Sequence, residues 1–199
     1  DSPTEGASGR PRSALFLGQP LPRQFAFIRA LLPGARVVGT LLGASSAYPE
    51  SHLRAAAEAA GLRLRVVRVT GEEEPVAAMK ALLGDVDVVL AVPDAQVLTP
   101  NRAKWLLYMA YRRNTPVVGF SEPYVEAGAL AALHATPRQV GRQAAERLAR
   151  LKDHPSLGPP AFSRYFSITL NRFTARSLGI RLPEEVHLRR VVADVEGES

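Results

Sequence analysis

Apolar and polar positions follow two different rhythms along this chain. Short apolar runs fall at Val37-Val38-Gly39-Thr40-Leu41-Leu42, Arg63 to Val69, Val86 to Val92, Pro116 to Phe120 and Leu130 to His134. Between them lie stretches of helical pattern: Pro49 to Ala60, Pro75 to Leu83, a segment opening at Thr99-Pro100, and a long one from Thr136-Pro137 to about Leu151. Apolar runs this short, bounded by turn residues, predict strands, and the longer periodic stretches predict helices. The boundaries carry signals of their own. Gly61 follows the first of these helices where a C′ residue belongs. Thr99-Pro100 and Thr136-Pro137 each supply a capping hydroxyl and then a proline at the first helical position. Strands separated by helices in this order predict βαβ units and a parallel sheet.

The strands differ in the charge they carry. Val86-Asp87-Val88-Val89-Leu90-Ala91-Val92 is nearly all apolar, as a strand covered on both faces must be. Arg63-Leu64-Arg65-Val66-Val67-Arg68-Val69 places arginine at three of seven positions, which suits a sheet edge. The expected fold class is therefore α/β, a doubly wound five-stranded parallel sheet in the flavodoxin-like order 2-1-3-4-5, whose second strand is an edge. Residues 1–12 are polar, with Pro, Gly and Ser, and are expected to form a disordered lead. A single α/β lobe is expected over 13–154, and 155–199 is expected to hold a linker, an extra strand and helix, and a tail. Ser13 to Gly18 with the helix Pro22 to Leu32, and Tyr165 to Leu170 with the helix Phe173 to Leu178, are not needed by a five-stranded sheet. They read as connections to something else.

Composition narrows the chemistry. The chain has no cysteine, which excludes a disulfide framework, thiolate catalysis and cysteine zinc sites. His52, His134, His154 and His187 are scattered, with no H-x-x-x-H pair. No G-x-S-x-G elbow, Walker loop or G-x-G-x-x-G follows the first strand. A phosphoacceptor receiver domain would put an aspartate where Asp94 stands, but the loops that should supply its acidic pair and lysine carry Ser45-Ser46 and Thr136-Pro137. The expectation is a protein that is not an enzyme and uses no cofactor or metal. The net charge is +6, yet the arginines fall on every segment rather than along one stripe with aromatics between. That pattern reads as solvated faces, without a nucleic-acid partner. The acidic run Glu72-Glu73-Glu74 is expected to serve the dipole of the helix that follows it. The longest apolar runs, Val86 to Pro93 and Gly128 to Leu133, are far short of the roughly 20 residues of a membrane span.

In an open parallel sheet, ligands bind beyond the carboxyl ends of the strands, where the strand order reverses. The loops there are Gly43-Ala44-Ser45-Ser46-Ala47-Tyr48 and Pro93-Asp94-Ala95-Gln96-Val97, with Ser121-Glu122-Pro123-Tyr124 after the fourth strand. The small polar groups of these loops, two of which feed helix N-termini, suit an anion or polar solute. Helix capping is the alternative for the three serines. The helix from Pro100 carries Trp105, Tyr108 and Arg112 at i, i+3 and i+7. With Tyr48 and Tyr124 they are candidates for a partner surface, the alternative being rings folded over the helix shoulder.

Several segments together resemble one family. Asn171 with Thr174-Ala175-Arg176-Ser177-Leu178-Gly179-Ile180-Arg181-Leu182-Pro183 resembles an N-x-x-x-A-x-x-L-G-I-x-I-P ending. Leu31 to Gly39, Pro116 to Glu122 and Gly128 to Ala132 match further signatures of the same proteins. Residues 22 to 183 thus resemble the carboxyl-terminal lobe of ABC-transporter solute-binding proteins of the type I periplasmic fold, nearest the tryptophan/tyrosine-binding branch. The family's ligand loops carry over onto Ser45, Ser46, Asp94, Gln96, Ser121 and Glu122. Two departures stand out: Gly43-Ala44 replaces an asparagine often found before the paired serines, and Asp94-Ala95-Gln96 replaces Thr-Asp-Asn.

The resemblance implies a periplasmic component of an ABC-type transport or uptake system, its signal peptide removed, binding a small polar or amino-acid-like ligand. The family's amino-terminal lobe, on the order of a hundred residues, is expected to be missing. The alternative function is a single-lobe protein–protein module, a homodimer or a transport-system accessory, that has lost solute binding.

Overall fold

The computed structural model describes residues 13–69, 75–151, 156 and 158–195. The expected lead over 1–12, the run Glu72-Glu73-Glu74 and the start of the linker at Pro155 lie outside the described residues. In chain order the elements are β1 (Leu15–Phe16), α1 (Leu21–Leu31), β2 (Val37–Gly43), α2 (Glu50–Ala59), β3 (Arg63–Val69), α3 (Pro75–Leu82), β4 (Val88–Leu90) and α4 (Pro100–Arg112). They continue as β5 (Val117–Gly119), α5 (Glu122–Glu126), β6 (Ala131–His134), α6 (Pro137–Arg150), β7 (Ala161–Phe162), β8 (Ser167–Leu170), α7 (Arg172–Ser177) and α8 (Glu185–Asp194). Gly61 takes a left-handed φ of 67° just after α2, and the hydroxyls of Thr99 and Thr136 accept from the backbone N–H of Arg102 and Gln139.

The main sheet runs β3-β2-β4-β5-β6-β8, with β2 through β6 paired in parallel. The five expected strands stand in the expected order, and β3, with its three arginines, is the edge. Its charges are answered locally: Arg65 pairs with Asp85 at 3.0 Å and Arg68 with Glu50 at 3.2 Å. The correction is a sixth strand. Residues 167–170, expected to lead away from the sheet, extend it beyond β6 instead. Strand β6 is wholly buried, so a neighbour is needed where a five-stranded sheet would leave an apolar edge.

By its contacts the described chain forms two units. The larger holds residues 20–133 and 168–195. Helices cover both faces of its sheet, with α3 against α4 and α1 against α2 and α8. Leu41, Val89 and Val117 meet Met79, Leu82 and Leu106 in one apolar cluster. The guanidinium of Arg29 gathers the ends of α1 and α2, donating to the carbonyls of Pro33 (3.1 Å), Ala35 (2.9 Å), Ala60 (3.2 Å) and Gly61.

The smaller unit holds residues 13–19 and 134–167. The helix α6 groups with β1 and β7, which pair in parallel. Polar contacts hold this unit together. Gln139 donates to the Phe166 carbonyl at 3.1 Å. Gln143 accepts from the Arg164 N–H at 2.8 Å and donates to the Phe162 carbonyl at 3.3 Å. Glu146 accepts from the Tyr165 hydroxyl at 2.8 Å, and this bond, followed by its bonds and charge contacts with Arg142 and Arg164, holds its carboxyl below the usual range. A helix rich in arginine and glutamine is thus bound to its unit by hydrogen bonds more than by apolar area.

Asn171 ties the tail motif to the larger unit. Its Oδ1 accepts from the Thr174 N–H at 2.9 Å, capping α7, and its Nδ2 donates to the Val125 carbonyl at 2.9 Å. Asn171→Ala is expected to lower stability by about 1–2 kcal/mol, read as a shift in the urea midpoint at unchanged slope.

Candidate functional site

Strand β2 ends at Gly43, and β4 runs out through Ala91 and Val92 to Pro93 and Asp94. Asp94 is only 6% exposed. Its Oδ2 accepts from the Gly43 N–H at 2.9 Å and its Oδ1 from the Gln96 N–H at 3.0 Å, while its carbonyl accepts from Val97 (3.1 Å) and Leu98 (2.8 Å). Gln96 then crosses to the other loop: its Oε1 accepts from the Ser45 N–H at 3.2 Å and its Nε2 donates to the Ser45 hydroxyl. Gly43 permits this. A Cβ there would lie 2.8 Å from the Cβ of Gln96, so any larger residue would push the loops apart. Ser46 accepts from the Tyr48 N–H at 3.3 Å. The half-buried Tyr48 phenol is pushed up in pKa by burial, and next by the negative charge of Asp94.

Strand β5 delivers the third loop to the same edge of the sheet. Ser121 stands at the N-cap of α5, but its side chain makes no capping hydrogen bond, and Glu122 is exposed. Tyr124 folds back over Gly119, where a Cβ would meet the Tyr124 Cβ at 2.5 Å. Its ring centroid lies 4.6 Å from that of Phe120. Burial pushes its phenol up to about 12.

Of the six anticipated ligand residues, the structure joins Ser45, Asp94 and Gln96 in one hydrogen-bonded cluster, with Ser46 in the same loop. Among the described residues no hydrogen bond joins Ser121 or Glu122 to that cluster. The capping alternative does not describe Ser45 or Ser46 either, since Pro49 holds the N-cap of α2. Arg102, which sequence reasoning passed over, reaches from the first turn of α4 to the Gln96 carbonyl at 2.7 Å. Its place three residues after the capping Thr99 was the available signal. Together the loops present hydroxyl, amide, carboxylate and guanidinium groups beside aromatic rings. Among the described residues no three His, Asp or Glu side chains converge as metal ligands.

The partner-surface candidates divide. Tyr48 and Tyr124 are half-buried at this edge, and Tyr124 packs against the core. Trp105 and Tyr108 are each 56% exposed and meet edge to face at 6.2 Å. Arg112 is exposed one turn on. Both aromatic residues keep more than half of their surface in solvent.

A parallel sheet with polar loops meeting where β2 and β4 part is common to many proteins, and comparison narrows it. Residues 18–192 match the ABC transporter substrate binding protein family. The chain belongs to that family. No curated protein matches it. Among solved structures it is similar to a conserved domain protein from Vibrio cholerae O1 biovar El Tor, at 25% identity and a TM-score of 0.70, covering 89% of this chain and 61% of that one. It is also similar to an ABC domain in complex with L-Trp from Streptococcus pneumoniae (22% identity, TM-score 0.66, 84% and 58% covered). A third neighbour is a ligand-free, open substrate-binding protein with adhesive properties from Clostridium difficile (20% identity, TM-score 0.71, 87% and 60% covered). The last two show the fold alone. This substrate-binding family member spans about three fifths of each neighbour's length.

Tyr124 gives the site a pH signature. Its folded phenol titrates at about 12 against an ordinary value near 10.0, so the neutral form is favoured on folding. That stability is fully present below the unfolded value and is lost as pH rises through the folded one. Alkaline titration by phenolate absorbance is expected to show Tyr48 and Tyr124 ionising late, with the Tyr124 step near pH 12 absent in Tyr124→Phe. Urea midpoints of the native chain should fall more steeply than those of Tyr124→Phe between about pH 10 and pH 12.

Proposed function

We propose that this chain is the solute-binding component of an ABC-type uptake system. In this reading it works in the periplasm and holds a small polar or amino-acid-like ligand at the carboxyl ends of β2, β4 and β5. The observation that carries the reading is the joining of two loops by Asp94 and Gln96, which keeps the Ser45 and Gln96 side chains at one solvent-facing edge. Asp94 acts here as a brace, its two oxygens already accepting backbone N–H groups. Ser45, Ser46, Gln96 and Ser121 are the ligand's hydrogen-bond partners, and Glu122 is the carboxylate for an ammonium group. The L-Trp complex of the pneumococcal neighbour supports an α-amino acid as the first ligand class to test.

A second reading, a protein–protein module working as a homodimer, has one observation in its favour. In the smaller unit Leu17 is 71%, Leu148 59%, Phe16 45% and Phe162 42% exposed. Apolar groups left in solvent together suit a covering protein partner.

Melting curves with individual amino acids and small polar solutes test the first reading. A ligand that binds only the folded chain at about 100 times its dissociation constant adds about 2.7 kcal/mol of stability. Gln96→Ala and Glu122→Ala are expected to abolish that gain, and the absence of any stabilising solute would sink the reading. Native mass spectrometry separates the two. A monomer with a retained small mass supports solute binding; an empty dimer that dissociates in the Leu17→Asp/Leu148→Asp variant supports the module.

A further inference from the structure

Helix α4 turns a face to solvent that the loop site does not use. Besides Trp105 and Tyr108, Tyr111 is 49% exposed on this face, and Phe173 on α7 is 75% exposed. Lys104, Tyr108 and Tyr111 lie along one side of the helix, opposite the buried Leu106 and Ala110. Between α4 and α7 runs a groove of about 430 Å³. Lys104, Leu107, Tyr108 and Tyr111 line it from one helix, Asn171 and Phe173 from the other segment, and Glu126 contributes the single carboxylate.

Several surface arginines are answered by carboxylates, and among the described residues four cations on these two helices are not. Arg54, Arg65, Arg68, Arg142, Arg164 and Arg189 each sit within 3.2 Å of a carboxylate. Lys104, Arg112, Arg172 and Arg176 are exposed, and among the described residues no carboxylate pairs with them. These four cations share α4 and α7 with four exposed aromatic rings, Trp105, Tyr108, Tyr111 and Phe173. Tryptophan, tyrosine and arginine are the residue types that dominate binding hot spots, and clustered exposed rings mark an interaction surface.

We infer that the α4–α7 face docks an acidic polypeptide segment that carries apolar anchor residues. The anchors fill the groove between Tyr108 and Phe173, and the segment's carboxylates meet Lys104 and Arg112. A second copy of this chain fits less well. An isologous contact sets a face against itself and would oppose the same unpaired cations, on a chain that already carries a net charge of +6. An anionic membrane surface also fits less well. The apolar lining is concave and contains Glu126, which a uniformly negative plane repels and a patterned segment can answer with one donor.

Trp105 is the only tryptophan of the chain, so its emission reports on this face directly. The full chain is used to select from a phage-displayed library of random linear peptides, with Lys104→Glu/Arg112→Glu as the counter-target. The expected winners combine Asp or Glu with Leu or Phe. A tryptophan-free synthetic peptide from that set shifts Trp105 emission to the blue, and its affinity falls at least about tenfold in the charge-reversed variant and in Phe173→Ala. Added salt weakens it further. All altered positions are exposed, and unchanged melting curves check the variants' fold. No enrichment over the counter-target, or winners without acidic residues, overturns the inference. So does binding without a Trp105 shift. An equal blue shift on phosphatidylglycerol vesicles assigns the face to a membrane, and one on concentrating the protein alone assigns it to a second copy; either result also overturns it.

Discussion

Two aspartates seven positions apart, Asp87 and Asp94, bracket β4 and hold β2 at both of its ends. The Oδ2 of Asp87 accepts from the N–H groups of Arg36 (2.7 Å) and Val37 (2.8 Å), where β2 begins. The Oδ2 of Asp94 accepts from Gly43, where β2 ends. Between the two clamps, β2 and β4 share only two registered residue pairs, against seven for β2 and β3. This is also where the sheet's connections part in opposite directions, so the loops on either side have no covalent reason to stay together. Charged acceptors supply the reason. A hydrogen bond to an ionised group contributes about 1.5–3 kcal/mol, and the buried Thr40 hydroxyl adds a bond to the Leu90 carbonyl at 2.9 Å.

That constraint changes how the loop site is understood. With its two oxygens accepting from the N–H groups of Gly43 and Gln96, Asp94 shapes the crevice. Gln96 carries the shape outward to Ser45, and the missing side chain at Gly43 lets the two loops close. The groups left exposed are neutral hydroxyls and an amide, with Glu122 and the Arg102 guanidinium at the margins.

Much of the sheet was legible because its strands obey local rules. Val86 to Val92 is apolar but for Asp87, and its strand Val88–Leu90 is buried; Arg63 to Val69 sets three arginines among leucine and valine and lies at the edge. Capping threonines and Gly61 marked helix ends for equally local reasons. Residues 167–170 were misread because a strand's place in a sheet depends on its partner, and Ser-Ile-Thr-Leu carries no sign of β6. The helix α8 was missed since Glu185 to Asp194 mixes its few apolar residues with charge, and only Leu188 and Val192 are buried. That the loops after β2 and β4 meet was legible from topology. The bonds between them were not, because a buried, doubly bonded aspartate and an exposed one look identical in a sequence.

The sixth strand has a consequence for the order in which the sheet assembles. Every other neighbouring pair from β3 to β6 is built from consecutive βα units or one step beyond. Strand β8 pairs with β6 only after the chain has left at His134 and come back at Ser167. Closing that excursion costs loop entropy, as does the step from β2 to β4 across β3, and contacts of high sequence separation form slowly. Until β8 pairs, the buried strand β6 stands open at the edge of the sheet.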